Sequence, residues 1–335
     1  MKRLISGIKP SGALTLGNYL GAIKPFIEYQ KEYQMFVFIA DLHALTLPIS
    51  SDEIRKNIRD LLDIYLAAGL GLNPLEGDQN NVCIFQQSKI KGHTELNWLL
   101  TCNTVLGELT KMPQYKNFCE KHKDKPTPAG MLMYPSLMSA DILLYDADFV
   151  PVGQDQVSHV DLCRDMAEKF NRSYPNSFTK IPQALVTKVG AKIMSLSDPT
   201  KKMSKSESDK GTIYLLDDIE ISKKKIMKAI TDSENQVKFD PINKPGVSNL
   251  LTIYSCLSGK TIEELENKYQ DIENYGVFKR DLCDVLEKEL SSLQSRVNQI
   301  RESGVDLEIL EYGNQQANKI AGDKIEEIYG IVGLR

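Results

Sequence analysis

Two segments far apart in the chain carry residues suited to holding a polyphosphate. Near the amino end, Pro10-Ser11-Gly12-Ala13-Leu14-Thr15-Leu16-Gly17-Asn18 follows the apolar run Arg3–Ile8 and leads into Leu16, Tyr19, Leu20, Ile23 and Ile27 at helical spacing. That order reads as strand, glycine-rich turn, helix. Gly7, Pro10 and Gly12 shape the turn: glycine lets backbone approach a ligand, and the free N–H groups of a helix start attract phosphate. Gly17 keeps one face of the helix open to a flat purine. The pattern alone recurs in folds that bind nothing there. Far downstream, Lys201-Lys202-Met203-Ser204-Lys205-Ser206 places lysines and serines in a loop with little acidic screening before Glu207. Such a loop is a flexible donor set for phosphate, and lysines that close on phosphates late stabilise the transition state more than the ground state.

Three further residues could do chemistry between these segments. After Tyr134-Pro135, with Pro135 suited to a first helical turn, Met138, Asp141, Leu144 and Tyr145 recur near helical spacing. Asp141 therefore sits in an apolar stripe, where an ionised carboxylate costs several kcal/mol unless a donor meets it. That donor is either structural, such as an Arg or a backbone N–H, or a ligand's own N–H. Residues 148–152 read as a short strand, and Gly153-Gln154-Asp155-Gln156 open a helix running to Phe170, repeating the geometry at Pro10. Asp155 suits a ribose hydroxyl and, equally, an ordinary N-cap. His43 ends the apolar run 35–40, where open α/β sheets bind ligands, although a satisfied structural histidine fits the same position.

The elements that must position these residues read as α/β. Residues 35–40 and 82–85 are continuous apolar runs that suit strands buried on both faces of a parallel sheet. Between them Ser51 or Asp52 caps a helix whose Ile54, Ile58, Leu61, Leu62, Tyr65 and Leu66 face inward, ended by Gly69 and Gly71. Residues 95–109 read as one helix, with Trp98 on its apolar, buried side. Residues 111–128 carry Lys111, Lys116, Lys121, His122, Lys123 and Lys125 among Pro113, Pro126 and Pro128, a basic mobile loop that is either a solvated connection or an insertion touching phosphate. Past Pro182 residues 184–186 form another strand, and Gly190 and Asp198-Pro199 punctuate the loop after it. Residues 215–230, 247–257, 261–269, 277–300 and 307–329 are amphipathic helices. The expectation is a Rossmann-like doubly wound parallel sheet over 1–190, a lysine–serine loop region over 191–215, and a C-terminal helical domain over 216–335.

Composition removes other classes. In 335 residues, the hydrophobic fraction of 41% and charged fraction of 26% exclude a disordered or coiled-coil chain. No apolar run approaches the roughly 20 residues of a membrane span, and no signal core precedes the first strand, so the expected compartment is the cytoplasm. Six cysteines without a C-x-x-C pair argue against a zinc site or iron–sulfur cluster and suit reduced thiols. A net charge of −4 confines any nucleic-acid surface to a local patch and argues against a general DNA binder.

Pro10-Ser-Gly-x-Leu-Thr-x-Gly-Asn-Tyr together with Lys202-Met-Ser-Lys-Ser resembles the paired signatures of class I aminoacyl-tRNA synthetases, the first in its bacterial tryptophanyl form. Thr15 and Asn18 stand where the more usual His-x-Gly-His motif has its two histidines. The likeness extends through Gly107-Glu-Leu, Tyr134-Pro to Asp141-Ile-Leu-Leu-Tyr, Val150-Pro-Val-Gly to Asp155-Gln, Met194-Ser-Leu to Ser206, and Lys244-Pro-Gly to Ser258-Gly. It implies that Lys9, Pro10, Ser11, Gly17 and Asn18 hold ATP, with Gly153, Gln154, Asp155 and Ile193 near ribose and adenine. Lys202, Met203, Ser204, Lys205 and Ser206 would close on the phosphates, and Lys202, Lys205, Thr15 and Asn18 would carry the catalysis. Asp141 would accept an indole N–H, Tyr134 and Met138 would line the ring, and Gln156, His43, Gly7 and Ile5 would frame the amino acid. An aromatic slot ending in one acceptor suits an indole and rejects Phe. Three positions depart from the pattern: Lys9 stands where Gln is common, Gln154 where an acidic residue is common, and Ile5 where an aromatic is expected.

The implied reaction uses ATP with Mg²⁺, as MgATP, to activate L-tryptophan, then charges tRNA(Trp), on a homodimer whose helical domain reads the anticodon. Alternatives left open by the residues are a tyrosyl synthetase, a nucleotidyltransferase acting on a small acid, and a catalytically silent paralogue that binds tRNA or tryptophan. The helical C-terminal third argues against the nucleotidyltransferase.

Overall fold

The computed structural model describes residues 1–71, 81–121, 126–186, 192–204, 209–272 and 274–335, and leaves out the side chains of Asp155 and Asp209. Strands β1 (Arg3–Ile8), β2 (Gln34–Ile39), β3 (Val82–Gln86), β4 (Phe149–Val152) and β5 (Gln183–Val186) form one sheet in the order β3-β2-β1-β4-β5. Every pair is parallel. The chain therefore builds outward from β1 in one direction, returns, and builds outward through β4 in the other. That is a doubly wound Rossmann-type sheet, with its switch point between β1 and β4.

Strand periodicity divides the core into two layers. Leu4, Met35, Val37, Ile39 and Ile84 face one side with the helices of the C-terminal third, while Ile5, Phe36, Phe38 and Phe85 face the other. On the first side pack α4 (Ser51–Ala67), α10 (Ile219–Met227), α11 (Pro245–Ser258) and α13 (Tyr275–Ser303); α12 (Ile262–Lys268) closes against α11. On the second lie α5 (Gly92–Cys102), α8 (Ala129–Leu143) and α9 (Val157–Ser173). The last helix, α14 (Val305–Val332), contributes to both layers and covers the edge strand β3. Asn314 accepts from the backbone N–H of Gln86 at 2.9 Å, doing for that edge what another strand would do.

Several local expectations need correction. Ser50, not Ser51 or Asp52, caps α4, its hydroxyl accepting from the Glu53 N–H. The first helix is α-helical over Leu16–Asn18 (α1), widens to a π-helix over Tyr19–Ile23 and resumes as α2 (Lys24–Tyr29); Pro25, which has no N–H to donate, sits just past the widening. The stretch 95–109 is not one helix. Asn103 Nδ2 donates to the Leu99 carbonyl and Thr104 Oγ1 to the Leu100 carbonyl, ending α5 before the short α6 (Leu106–Leu109). Trp98 is not buried: it is 67% exposed, since α5 turns the opposite face toward α8 and α14.

Within 111–128 the described part is largely a helix, α7 (Pro113–Lys121), with Pro113 presetting its first turn. Residues 122–125 lie outside the described residues. Pro135 is inside α8 rather than at its start, because Pro126 and Pro128 already set the start at Ala129. The short helices α3 (Asp41–Ala44), after β2, and a 3₁₀ turn, Gln87–Lys89, after β3, carry the chain across the carboxyl edge of the sheet.

Candidate functional site

The glycine-rich turn is built by its own side chains. Thr15 is the N-cap of α1: its hydroxyl accepts from the Asn18 N–H at 3.2 Å, and Asn18 Oδ1 accepts from the Thr15 N–H at 3.1 Å. This capping box uses the oxygen of Asn18 and leaves its amide N–H groups as the part able to meet a ligand. Thr15 is buried and holds the turn. Lys9 and Ser11 are exposed around buried Pro10, and Gly12 has φ of 139°, a conformation that favours glycine.

The lysine–serine segment reaches this turn. Leu16 N–H donates to the Ile213 carbonyl, and Leu215 N–H to the Leu14 carbonyl, both at 2.9 Å. Met203 N–H donates to the Ile193 carbonyl at 2.9 Å, and Met194 bridges Lys202. Asn249 on α11 clamps both backbone groups of Met194, at 2.8 and 2.9 Å. A Cβ placed on Gly17 would lie 3.7 Å from the Cβ atoms of both Ile193 and Met203. The two distant signatures thus share one wall. Met203 and Ile193 are buried in that wall, Ser204 is half-buried, and Lys202 is exposed beside it. Lys205 and Ser206 lie outside the described residues, as does Gly190.

Two glycines mark the switch point. Gly7 at the end of β1 and Gly153 just after β4 lie at the carboxyl ends of neighbouring parallel strands. A Cβ on Gly7 would come within 2.6 Å of the Phe38 ring, so only glycine leaves that ring in place. Gly153 and Gln154 are exposed, and half-buried Gln156 ends the 3₁₀ turn that opens α9. The side chain of Asp155 is outside the described set.

Asp141, on α8, has no solvent exposure. Three side chains donate to it: His43 Nε2 to Oδ2 at 2.8 Å, and Gln87 Nε2 and His93 Nδ1 to Oδ1 at 2.7 and 2.6 Å. Burial opposes its ionisation, but the hydrogen bonds from His43 and His93 outweigh burial, and the carboxyl is pulled down to about 2. The donor required by its position is therefore structural, though it is neither an Arg nor a backbone N–H. Tyr134 and Met138, half-buried on the preceding turns of α8, flank it, with the Tyr134 ring edge-on to His43 at 6.3 Å. Tyr134 OH also meets His159 Nε2 at 2.5 Å. Ile5 is fully buried in the layer beneath. Gln87, His93 and His159 escape the sequence reading; Gln87 alone had a signal, its place after a buried strand. Among the described residues, no group of three or more His, Cys, Asp or Glu is placed to hold a metal ion.

A doubly wound parallel sheet whose capped glycine turn is joined to a Lys-Met-Ser segment is the fold of a class I aminoacyl-tRNA synthetase. The profile of tRNA synthetases class I (W and Y) matches residues 1–293, and the chain belongs to that family. It is 47% identical to the tryptophan–tRNA ligase of Bacillus subtilis (strain 168) over 336 residues, covering 100% of this chain and 98% of the relative. Among solved structures, it resembles tryptophanyl-tRNA synthetase from Mycoplasma pneumoniae, with a TM-score of 0.86 and 37% identity over 100% of this chain and 98% of the other. It also resembles the Campylobacter jejuni tryptophanyl-tRNA synthetase complexed with ADP and tryptophan, with a TM-score of 0.81 and 33% identity over 99% of each chain.

Proposed function

We propose that this chain is a tryptophan–tRNA ligase. A carboxylate oxygen of L-tryptophan attacks the α-phosphorus of MgATP and the bond to the bridging oxygen breaks, giving tryptophanyl-adenylate and pyrophosphate. The terminal ribose hydroxyl of tRNA(Trp) then attacks the adenylate carbonyl and AMP leaves. No covalent enzyme intermediate is required, so catalysis rests on alignment and on neutralising the departing pyrophosphate. The observation that carries this reading is the shared wall at Gly17, where Ile193 and Met203 stand 3.7 Å away. It brings the start of the first helix and the lysine-bearing segment to one wall, which supports a nucleotide shared between them.

In this reading Lys9, Pro10, Ser11, Gly17, the Asn18 amide, Gly153, Gln154, Asp155 and Ile193 hold ATP, and Lys202 to Ser206 close on its phosphates. Mg²⁺ arrives with the nucleotide. Gly7, His43, Tyr134, Met138 and Gln156 frame the amino acid, and Ile5 supports them from below. Asp141 selects the indole. A carboxylate accepts about four hydrogen bonds; three are taken, two of them at Oδ1, so Oδ2 retains capacity for the indole N–H.

The same proposal assigns residues 1–190 to the catalytic domain, 191–215 to the loop that completes the ATP site, and 216–335 to a helical domain that reads the anticodon. It takes the working unit to be a homodimer in the cytoplasm. Trp98, Val105 and Leu106 are all more than 60% exposed along α5 and its exit, and a second copy is the occupant we assign to them. ATP–pyrophosphate exchange with each amino acid is the test. Exchange with tryptophan alone, followed by charging of tRNA(Trp), is the expected result; exchange dependent on tyrosine, or with no amino acid, overturns the reading.

A further inference from the structure

Behind Asp141 runs a buried chain of polar groups that the adenylation chemistry does not use. His93, fully buried at the start of α5, meets Asp141 Oδ1 through Nδ1 at 2.6 Å and the Tyr145 hydroxyl through Nε2 at 2.9 Å. Its ring is enclosed by Phe38, Phe85 and Tyr145, with centroids 6.1, 5.9 and 5.6 Å away. Both ring nitrogens of this fully buried histidine meet protein groups, so those partners decide which nitrogen carries the proton. A carboxylate can only accept, so Nδ1 must be protonated. Burial and the nearby Asp141 charge push the Tyr145 phenol well above its ordinary value, and it stays a donor.

We infer that His93 and Tyr145 are positioning residues for amino-acid selection: the Tyr145 hydroxyl donates to His93 Nε2, fixing the Nδ1–H tautomer that pins Asp141 Oδ1 and leaves Oδ2 turned toward the substrate's N–H. Gln87 is the second pin on the same oxygen, at 2.7 Å. With Oδ1 occupied twice, rotation of the carboxylate would break two short hydrogen bonds. The acceptor is thus preorganised, and an incoming N–H meets a fixed lone pair. His43 still holds Oδ2 at 2.8 Å, so weakening the Oδ1 hydrogen bonds leaves a carboxylate able to pivot about that one anchor and carry the remaining Oδ2 lone pair off the substrate's N–H. This assignment rests on Asp141 receiving the indole N–H.

The test compares L-tryptophan with β-(3-benzothienyl)-L-alanine, in which sulfur replaces the indole N–H at nearly the same shape, in ATP–pyrophosphate exchange. The readout is the ratio of kcat/KM for the two amino acids. His93→Leu is expected to lower that ratio by about tenfold or more, through KM for tryptophan, as befits a lost hydrogen bond to a charged group. His93→Asn keeps an amide donor near Nδ1 and is expected to recover most of the ratio. Tyr145→Phe removes the donor to Nε2 that supports this tautomer and is expected to lower the ratio by about threefold, the scale of a neutral hydrogen bond. Equal losses for both amino acids in every variant, or an unchanged ratio, overturn the inference, because a packing role does not distinguish N–H from S. Should His93→Leu not fold, Tyr145→Phe and His93→Asn decide by the same ratio. Failure of the underlying reading appears separately, in the unaltered enzyme, as no tryptophan-dependent exchange or no preference over the sulfur analogue.

Discussion

Asp141 is the residue whose surroundings matter most. Its folded-state value, about 2, lies below the ordinary carboxyl value because His43 and His93 donate to it despite burial. A depressed carboxyl contributes stability that is present above its unfolded value near 4 and disappears as pH falls through about 2. From this group alone the protein should lose on the order of 2 kcal/mol between those limits. Asp141→Asn, followed by urea unfolding across that pH range, should flatten this part of the acid slope; an unaltered slope contradicts the assignment. The lysines act differently, since they would touch only phosphate. Lys202→Ala and Lys205→Ala should each lower kcat for exchange by about a hundredfold, the scale of removing one preorganised donor, with tryptophan affinity nearly unchanged. Weakened tryptophan binding with turnover intact would refute that role.

At the scale of elements, α14 decides how the sheet is closed at its β3 edge. Gly313 packs against β3 so closely that a Cβ would overlap the Ile84 carbonyl, and its neighbour Asn314 pairs with the Gln86 N–H. Gly313→Ala must push the helix from the sheet and should cost about 3 kcal/mol in urea unfolding, the upper end for overpacking against a rigid neighbour. A change under about 0.5 kcal/mol would mean that α14 does not clamp this edge. A second junction ties α4, α13 and α14. Asp63 is fully buried; burial raises its carboxyl, Arg301 at 2.5 Å pulls it back, nearby Asp306 raises it again, and the result is about 6. Asp60 and Arg59 complete the cluster. A raised carboxyl favours the fold fully below its unfolded value near 4, and that contribution is lost as pH rises through about 6. Asp63→Asn should remove that decline, which unfolding midpoints between pH 4 and 7 would show.

For the whole molecule, the exposed Trp98 is a built-in probe because it is the chain's single tryptophan. If a second copy covers α5, Trp98 emission should shift to the red on dilution, in step with the monomer fraction from sedimentation. Leu106→Arg should give monomer at concentrations where the unaltered chain is dimeric, since it buries an unpaired charge. Emission independent of concentration, with a monomer throughout, removes the homodimer from the proposal.

Local pattern was enough for much of this protein. Continuous apolar runs mark β2 and β3, glycines mark the turns, 3.6-residue spacing marks the C-terminal helices, and the lysine–serine and Pro-Ser-Gly segments stand out by residue type alone. Those signals depend on neighbours within a turn or two. Which face of α5 points inward depended on α8 and α14, and so Trp98 read as buried from its own helix and is exposed in the fold. Pro135 could not be placed inside α8 because the prolines that start that helix lie upstream in an apparent loop. His93 is a lone histidine until folding sets it between Asp141 and Tyr145, residues 48 and 52 positions away. The meeting of Gly17 with Ile193 and Met203 was likewise decided by the tertiary structure, because the backbone pairing of Leu14 and Leu16 with Leu215 and Ile213, together with the Asn249 clamp from α11, brings that segment to the first helix.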